Sequence, residues 1–173
     1  MIVVDASAAL AALLNDGQAR QLIAAERLHV PHLVDSEIAS GLRRLAQRDR
    51  LGAADGRWAL QTWRRLAVTR YPVVGLFERI WEIRANLSAY DASYVALAEA
   101  LNCALVTADL RLSDTGQAQC PITVVPGSRG TDVRGSVYHN AIGPVDTREA
   151  RGAVGGSSRR NATTTPCAAH PSL

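Results

Sequence analysis

An α/β fold with a parallel sheet flanked by helices is what this sequence predicts, on three observations. Short segments of strand length (the apolar runs Ile2-Val3-Val4 and Ala104-Leu105-Val106, with Leu28-His29-Val30 and residues 122–125) are separated by longer stretches of helical period. The coarse order is strand, helix, strand, helix, two further helices, then helix, strand, loop and strand. Such alternation calls for right-handed crossovers and helices on both sheet faces. Acids stand where strands finish, Asp5 directly after the first and Asp109 soon after Val106, the edge at which parallel sheets place functional groups.

Each element has a local reason. Ile2-Val3-Val4 is uniformly apolar, as a central parallel strand buried on both faces requires. Asp5-Ala6-Ser7 follows, then an Ala/Leu run over 8–14 of high helix propensity, for which Asp5 or Ser7 is a natural N-cap. Asn15-Asp16-Gly17 turns the chain into a helix over 18–27, and Pro31 stops the second strand. A helix over 34–48 carries the apolar stripe Val34, Ile38, Leu42 and Leu45. On another face Glu37, Gly41, Arg44 and Arg48 line up, either as a solvated charge ladder or as a site edge with Arg44 beside a phosphate backbone. The stretch 52–66 reads as a helix in which Trp58, Trp63 and Leu66 pack and Arg57, Arg64 and Arg65 face water. Tyr71-Pro72-Val73-Val74 reads as a short extended piece or turn, and 75–86 as another helix. The stretch 88–112 organises the rest: a helix with Asp91 at its start, a tight turn, the buried strand 104–106, then Asp109 in a loop. Residues 113–116 continue that loop, and Pro121 leads into the last strand.

Composition limits the function. A chain of 173 residues, 47% hydrophobic, holds one ordinary core, here 1–126. No apolar run approaches 18 residues, so no transmembrane helix is expected, and the start lacks the basic region of a secretory signal. Cys103, Cys120 and Cys167 are odd in number and lack metal-site spacing, which points to a reduced, cytoplasmic setting. The chain has no lysine, and residues 1–126 carry 13 Arg against 13 Asp plus Glu. The net +3 therefore belongs to 127–173, whose Gly, Ser, Thr, Pro and Arg content predicts a disordered tail.

Asp5, Glu37, Asp91 and Asp109 each admit a plain explanation as cap, turn or solvated residue. Together, at one sheet edge, they would repel and raise one another's pKa unless a divalent cation held them ionised. Oxygen ligands with retained waters suit Mg2+, or Mn2+. No Cys/His cluster suggests zinc, and His29, His32, His139 and His170 read as incidental.

The pieces VVDASA, PHLVDSEIASGLRR, SAYDASYVALAEAL and LVTADLRL, in this order, resemble a PIN-domain ribonuclease of the VapC toxin type over roughly 1–126. The resemblance implies a three-layer α/β/α fold with a five-stranded parallel sheet of order 3-2-1-4-5. It implies that Asp5, Glu37, Asp91 and Asp109 are the catalytic acids and that Asp5, Asp91 and Asp109 hold the metal. Ser7 and Thr107 match the hydroxyl positions beside them, and Asp114 is an auxiliary acid. Arg43 and Arg44 are candidates for binding RNA, Arg44 having the better face. The implied reaction is Mg2+-dependent RNA cleavage, in which metal-activated water attacks a phosphodiester. The implied partners are a small antitoxin that covers the acidic crevice, and a second copy in a homodimer. The long tail departs from the family pattern. Two other classes compete: a non-catalytic RNA- or partner-binding module on the same fold, and a haloacid-dehalogenase-like phosphatase. The last wants an aspartate two residues after Asp5, where Ser7 stands.

Overall fold

Ile2–Val4 (β1) is buried along its whole length, as its uninterrupted apolar sequence requires. In the computed structural model, which describes residues 1–127, it is the middle strand of five. The expected disordered tail over 127–173 lies, Gly127 apart, outside the described residues. Leu28–Pro31 (β2) and Val68–Tyr71 (β3) extend the sheet on one side, Ala104–Thr107 (β4) and Ile122–Val124 (β5) on the other. All pairings are parallel, and the order is β3-β2-β1-β4-β5. The order reverses direction between β1 and β4, which makes the gap beyond their carboxyl ends the natural crevice.

The helices are Ala6–Leu14 (α1), Gln18–Ala25 (α2), Val34–Gln47 (α3), Ala53–Arg65 (α4), Phe77–Glu82 (α5), Ala89–Ala100 (α6) and Leu110–Ser113 (α7). The Ala-rich α1 packs against α2, α3 and β4, while α6 lies against β1, β2 and β4. Small side chains permit this closeness. A Cβ built on Gly41 of α3 would stand 2.4 Å from Leu10 Cδ1 of α1, so a larger residue there would push Leu10 aside. Helix α6 ends on Leu101, and Asn102 takes φ 48°, the left-handed turn that Asn tolerates and that sends the chain straight into β4.

Five local expectations need correction. Where an extended piece or turn was expected at 71–74, a strand runs over 68–71, because pairing with β2 selects it: His29 lies opposite Thr69, and His29 Nδ1 is 2.8 Å from the Tyr71 hydroxyl. Val73–Leu76 is a 3-10 turn, and only Phe77–Glu82 of the helix expected over 75–86 is regular. Pro31 ends β2 from inside the strand, opposite Tyr71. The loop after Asp109 starts with the short α7, which Asp109 caps. Trp63 is buried as expected, but Trp58 is 39% exposed. The indole N–H of Trp63 donates to Asp35 Oδ1 at 2.7 Å, and Arg70 bonds both oxygens of the same carboxylate, tying α3, α4 and β3 together. Val74, Phe77 and Trp81 expose large apolar groups at helical spacing.

Candidate active site

Asp5 stands where β1 becomes α1. Its extended backbone lets the carboxylate cap the helix, accepting from the Ala8 amide at 2.8 Å. Two hydroxyls reach the same group: Thr107 Oγ1 donates to Oδ2 at 2.6 Å, and Ser7 Oγ donates at 2.8 Å to Oδ1 and 2.9 Å to Oδ2. These hydroxyls are themselves held, Ser7 Oγ by the Ala108 amide at 2.8 Å and Thr107 Oγ1 by the Asp109 amide at 2.9 Å. The ends of β1 and β4 are thus locked together, and Asp5 is both cap and site acid. Burial pushes its pKa up. The bonds from Thr107, Ala8 and Ser7 pull it back, and the charge of Asp109 adds to the rise.

Glu37 sits in the first turn of α3 and accepts a hydrogen bond from the Tyr94 hydroxyl of α6. Desolvation raises the Glu37 pKa, and the charges of Asp5 and Asp91 raise it further, against the pull of Tyr94 and Arg44. Burial, with Glu37 beside it, drives the Tyr94 phenol far above its ordinary value. Asp91 is in the first turn of α6, where its amide donates to Ser88 Oγ at 3.2 Å and its carboxylate accepts from that hydroxyl at 2.8 Å. Asp109 caps α7, and Arg111 Nε and Nη2 bond its two oxygens at 2.5 to 3.1 Å. That guanidinium holds the Asp109 carboxyl below the usual carboxylate range.

All four acids line one cleft of about 730 Å³, with Ser7 and Arg44. Thr107 lies beneath it, fully buried under Asp5. Arg43 and Asp114 are not brought in. Neighbouring helix positions face different ways, so Arg44 reaches the cleft and exposed Arg43 does not. Asp114 follows α7 and accepts from Ser113 Oγ at 3.2 Å. Reading the sequence residue by residue missed Ser36, Ser40, Tyr90 and Tyr94, which also line the cleft. A signal existed: Ser36, Ser40 and Arg44 are four apart, and the tyrosines flank Asp91 on one helix.

The donor set is hard oxygen throughout, which suits Mg2+ or Mn2+. Among the described residues, however, no group of three or more His, Cys, Asp or Glu is placed to hold one ion, and Asp109 faces Arg111. A direct three-carboxylate cage is therefore not what the acids form. Mg2+ commonly binds through one or two carboxylates and keeps several waters, and in that mode the residues fit.

The PIN domain profile matches residues 2–118. This chain belongs to the PIN domain family. Its similarity to curated members is high. Ribonuclease VapC9 of Mycobacterium tuberculosis (strain ATCC 25618 / H37Rv) is 99% identical over 126 residues, covering 73% of this chain and 99% of that protein. Ribonuclease VapC1 of the same strain is 38% identical over 128 residues, 71% of this chain and 96% of that one. Among solved structures, Mycobacterium tuberculosis VapC20, described as a Sarcin-Ricin loop cleaving toxin, superposes with a TM-score of 0.51 and 25% identity over 67% of this chain and 95% of that one. The PIN domain is thus of the VapC type, and its sheet order is the one the motifs implied. The haloacid-dehalogenase-like alternative falls with this family assignment.

Proposed function

We propose that this chain is a metal-dependent endoribonuclease, the toxin of a type II toxin–antitoxin pair, that hydrolyses RNA phosphodiesters in the cytoplasm. The observation that carries the reading is the convergence of Asp5, Glu37, Asp91 and Asp109 on one cleft at the sheet's switch point. Asp5, with Asp91 and Asp109, would hold Mg2+ (or Mn2+), in part through water. When bound, the ion would lower the pKa of a water and neutralise phosphate charge. The chain's own groups do the rest. Ser7, Thr107 and the Ala8 amide hold Asp5 in one orientation. Tyr94 holds Glu37 Oε2, which leaves Oε1 to take the proton of the attacking water. Burial and neighbouring charge move Glu37 up toward neutrality, where a general base works best. The water oxygen bonds to phosphorus, and the P–O bond to the departing sugar oxygen breaks. Arg44 offsets charge on the phosphate chain alongside.

The proposed partners are a small antitoxin covering the cleft and a second copy of this chain. Family membership supports both, and the exposed Val74, Phe77 and Trp81 support an apolar contact between copies. No helix among the described residues is long and apolar enough to cross a membrane.

The test is digestion of total RNA by purified protein with Mg2+, with EDTA, and after Mg2+ or Mn2+ is restored, beside Asp5→Ala. Cleavage lost in EDTA, regained with metal and absent in the variant is the expected result. Full Mg2+-dependent cleavage by Asp5→Ala refutes the assignment. One observation favours a non-catalytic binding module instead, namely that no three acids are placed to hold an ion among the described residues. That reading predicts RNA binding undiminished in excess chelator and no cleavage under any condition.

A further inference from the structure

Phosphate is poorly served by this cleft. Its walls carry four carboxylates against the cationic side chain of Arg44, and Arg111 beside it is already engaged by Asp109. Even with a bound divalent ion, a polyanion gains little electrostatic affinity here, so contacts that do not depend on charge must hold the strand. The cleft offers one large group for that purpose. Tyr90, in the first turn of α6 and next to Asp91, lines the cleft and is 62% exposed. The tyrosine one turn further on, Tyr94, is 2% exposed and bonded to Glu37. The same helix therefore presents two phenols to the same cleft with opposite roles. The buried one organises an acid. The exposed one makes no hydrogen bond among the described residues and adds nothing to the core, while its ring faces the space beside the acids.

We propose that Tyr90 is the base-stacking platform of the cleft, its ring packing against an unpaired base of a single-stranded RNA next to the phosphate that is cut. Aromatic rings bind single strands in this way because every base has a π-face, whereas bases within a duplex are already stacked on both sides. The inference rests on the ribonuclease reading above. It adds that recognition beside the acids uses the Tyr90 ring on a base as well as Arg44 on the phosphate chain.

The experiment uses the full chain and a fluorescent 20-nucleotide RNA copying a cut site mapped by sequencing the ends of digested total RNA. Wild type, Tyr90→Phe and Tyr90→Ala are compared for KM and kcat, each checked for an unchanged melting temperature. Stacking energies measured by alanine substitution correspond to about a 5- to 150-fold change in affinity, so Tyr90→Ala should raise KM about 10-fold with kcat within about twofold. Tyr90→Phe, which keeps the ring, should match wild type. An oligonucleotide with an abasic nucleotide beside the cut should lose about as much with wild type and nothing more with Tyr90→Ala. Unchanged KM in Tyr90→Ala overturns the proposal, as does an abasic penalty that adds to the substitution. A Tyr90→Ala variant that cleaves RNA normally but loses antitoxin affinity also overturns it and gives the ring to the protein partner. In each of these cases wild type still cuts and Asp5→Ala does not, so the ribonuclease reading stands. Failure of wild type to cut any RNA would instead remove that reading and this one with it.

Discussion

Removing the Tyr94 hydroxyl should change stability in a way that depends on pH. Tyr94→Phe keeps the buried ring and deletes one O–H, which donates to Glu37 and whose oxygen meets the Ala6 amide. A hydrogen bond to an ionised group is worth about 1.5–3 kcal/mol, and one to a neutral group about 0.5–1.5 kcal/mol. Glu37 is only half-buried, so water partly replaces the lost donor and the lower ends apply. The expected cost is about 1.5 kcal/mol at pH 8, where Glu37 is ionised, and about 1 kcal/mol or less once it is protonated. At pH 8 that corresponds to roughly 4–8 °C in melting temperature. The sign follows from linkage. The folded pKa of Glu37 lies above its unfolded value, so between the two the folded chain binds more protons. Stability therefore falls as pH rises through that window and levels off above the folded value. The Tyr94 bond lowers the folded pKa, so losing it widens the window upward and deepens the decline. Urea melts of wild type, Tyr94→Phe, Glu37→Gln and the double variant at pH 4 and pH 8 read this directly. If Glu37 must be ionised to act, the acid limb of the rate profile moves to higher pH in Tyr94→Phe as well. A Tyr94→Phe deficit equal at both pH values, with no coupling to Glu37→Gln, would show that the phenol does not hold the ionised carboxylate.

Asp5→Asn should reduce cleavage at least about 100-fold, the upper end of what losing even an outer-sphere partner of a metal costs. Burial raises the folded pKa of Asp5, so wild-type stability falls as pH rises through that raised value, while Asn has no such slope. The urea midpoint of the variant should gain on wild type between pH 4 and pH 8, and a constant gap would contradict the burial argument. Asp35→Ala strands the buried Trp63 indole N–H and should cost about 2 kcal/mol. Arg70→Ala breaks a pair whose side chains are 31% and 45% exposed and should cost no more than about 1 kcal/mol. Thermal denaturation ranks the two, and the reverse order would mean that the contacts of Arg70 between β3 and α3 matter more than the indole bond between α4 and α3.

Local sequence was enough where an element's identity depends on its own residues. β1 and the Ala104-Leu105-Val106 stretch of β4 are continuous apolar runs because strands covered on both faces need nothing else, and Asp5, Asp91 and Asp109 were visible as acids at element ends. β3 was overlooked, its last residue read as the start of a short extended piece or turn, because Val68–Tyr71 is only partly buried and has no strong pattern of its own. Its hydrogen-bonded register with β2, and the Arg70–Asp35 and Tyr71–His29 contacts, choose it over the equally apolar Val73-Val74. The helix α7 was hidden for a related reason: four residues show no period, and the Asp109 cap decides the matter.

That a parallel α/β sheet carries acids past the ends of its inner strands could be read from local stretches of chain. Which groups share a cleft depends on packing between distant segments. Glu37 meets Tyr94 across 57 positions, Ser7 meets Ala108 across 101, and Arg44 enters where Arg43 does not. Those outcomes depend on how α3 and α6 are turned against the sheet. Packing of Gly41 on Leu10 and the buried faces of both helices set that rotation, and no local stretch of chain records it.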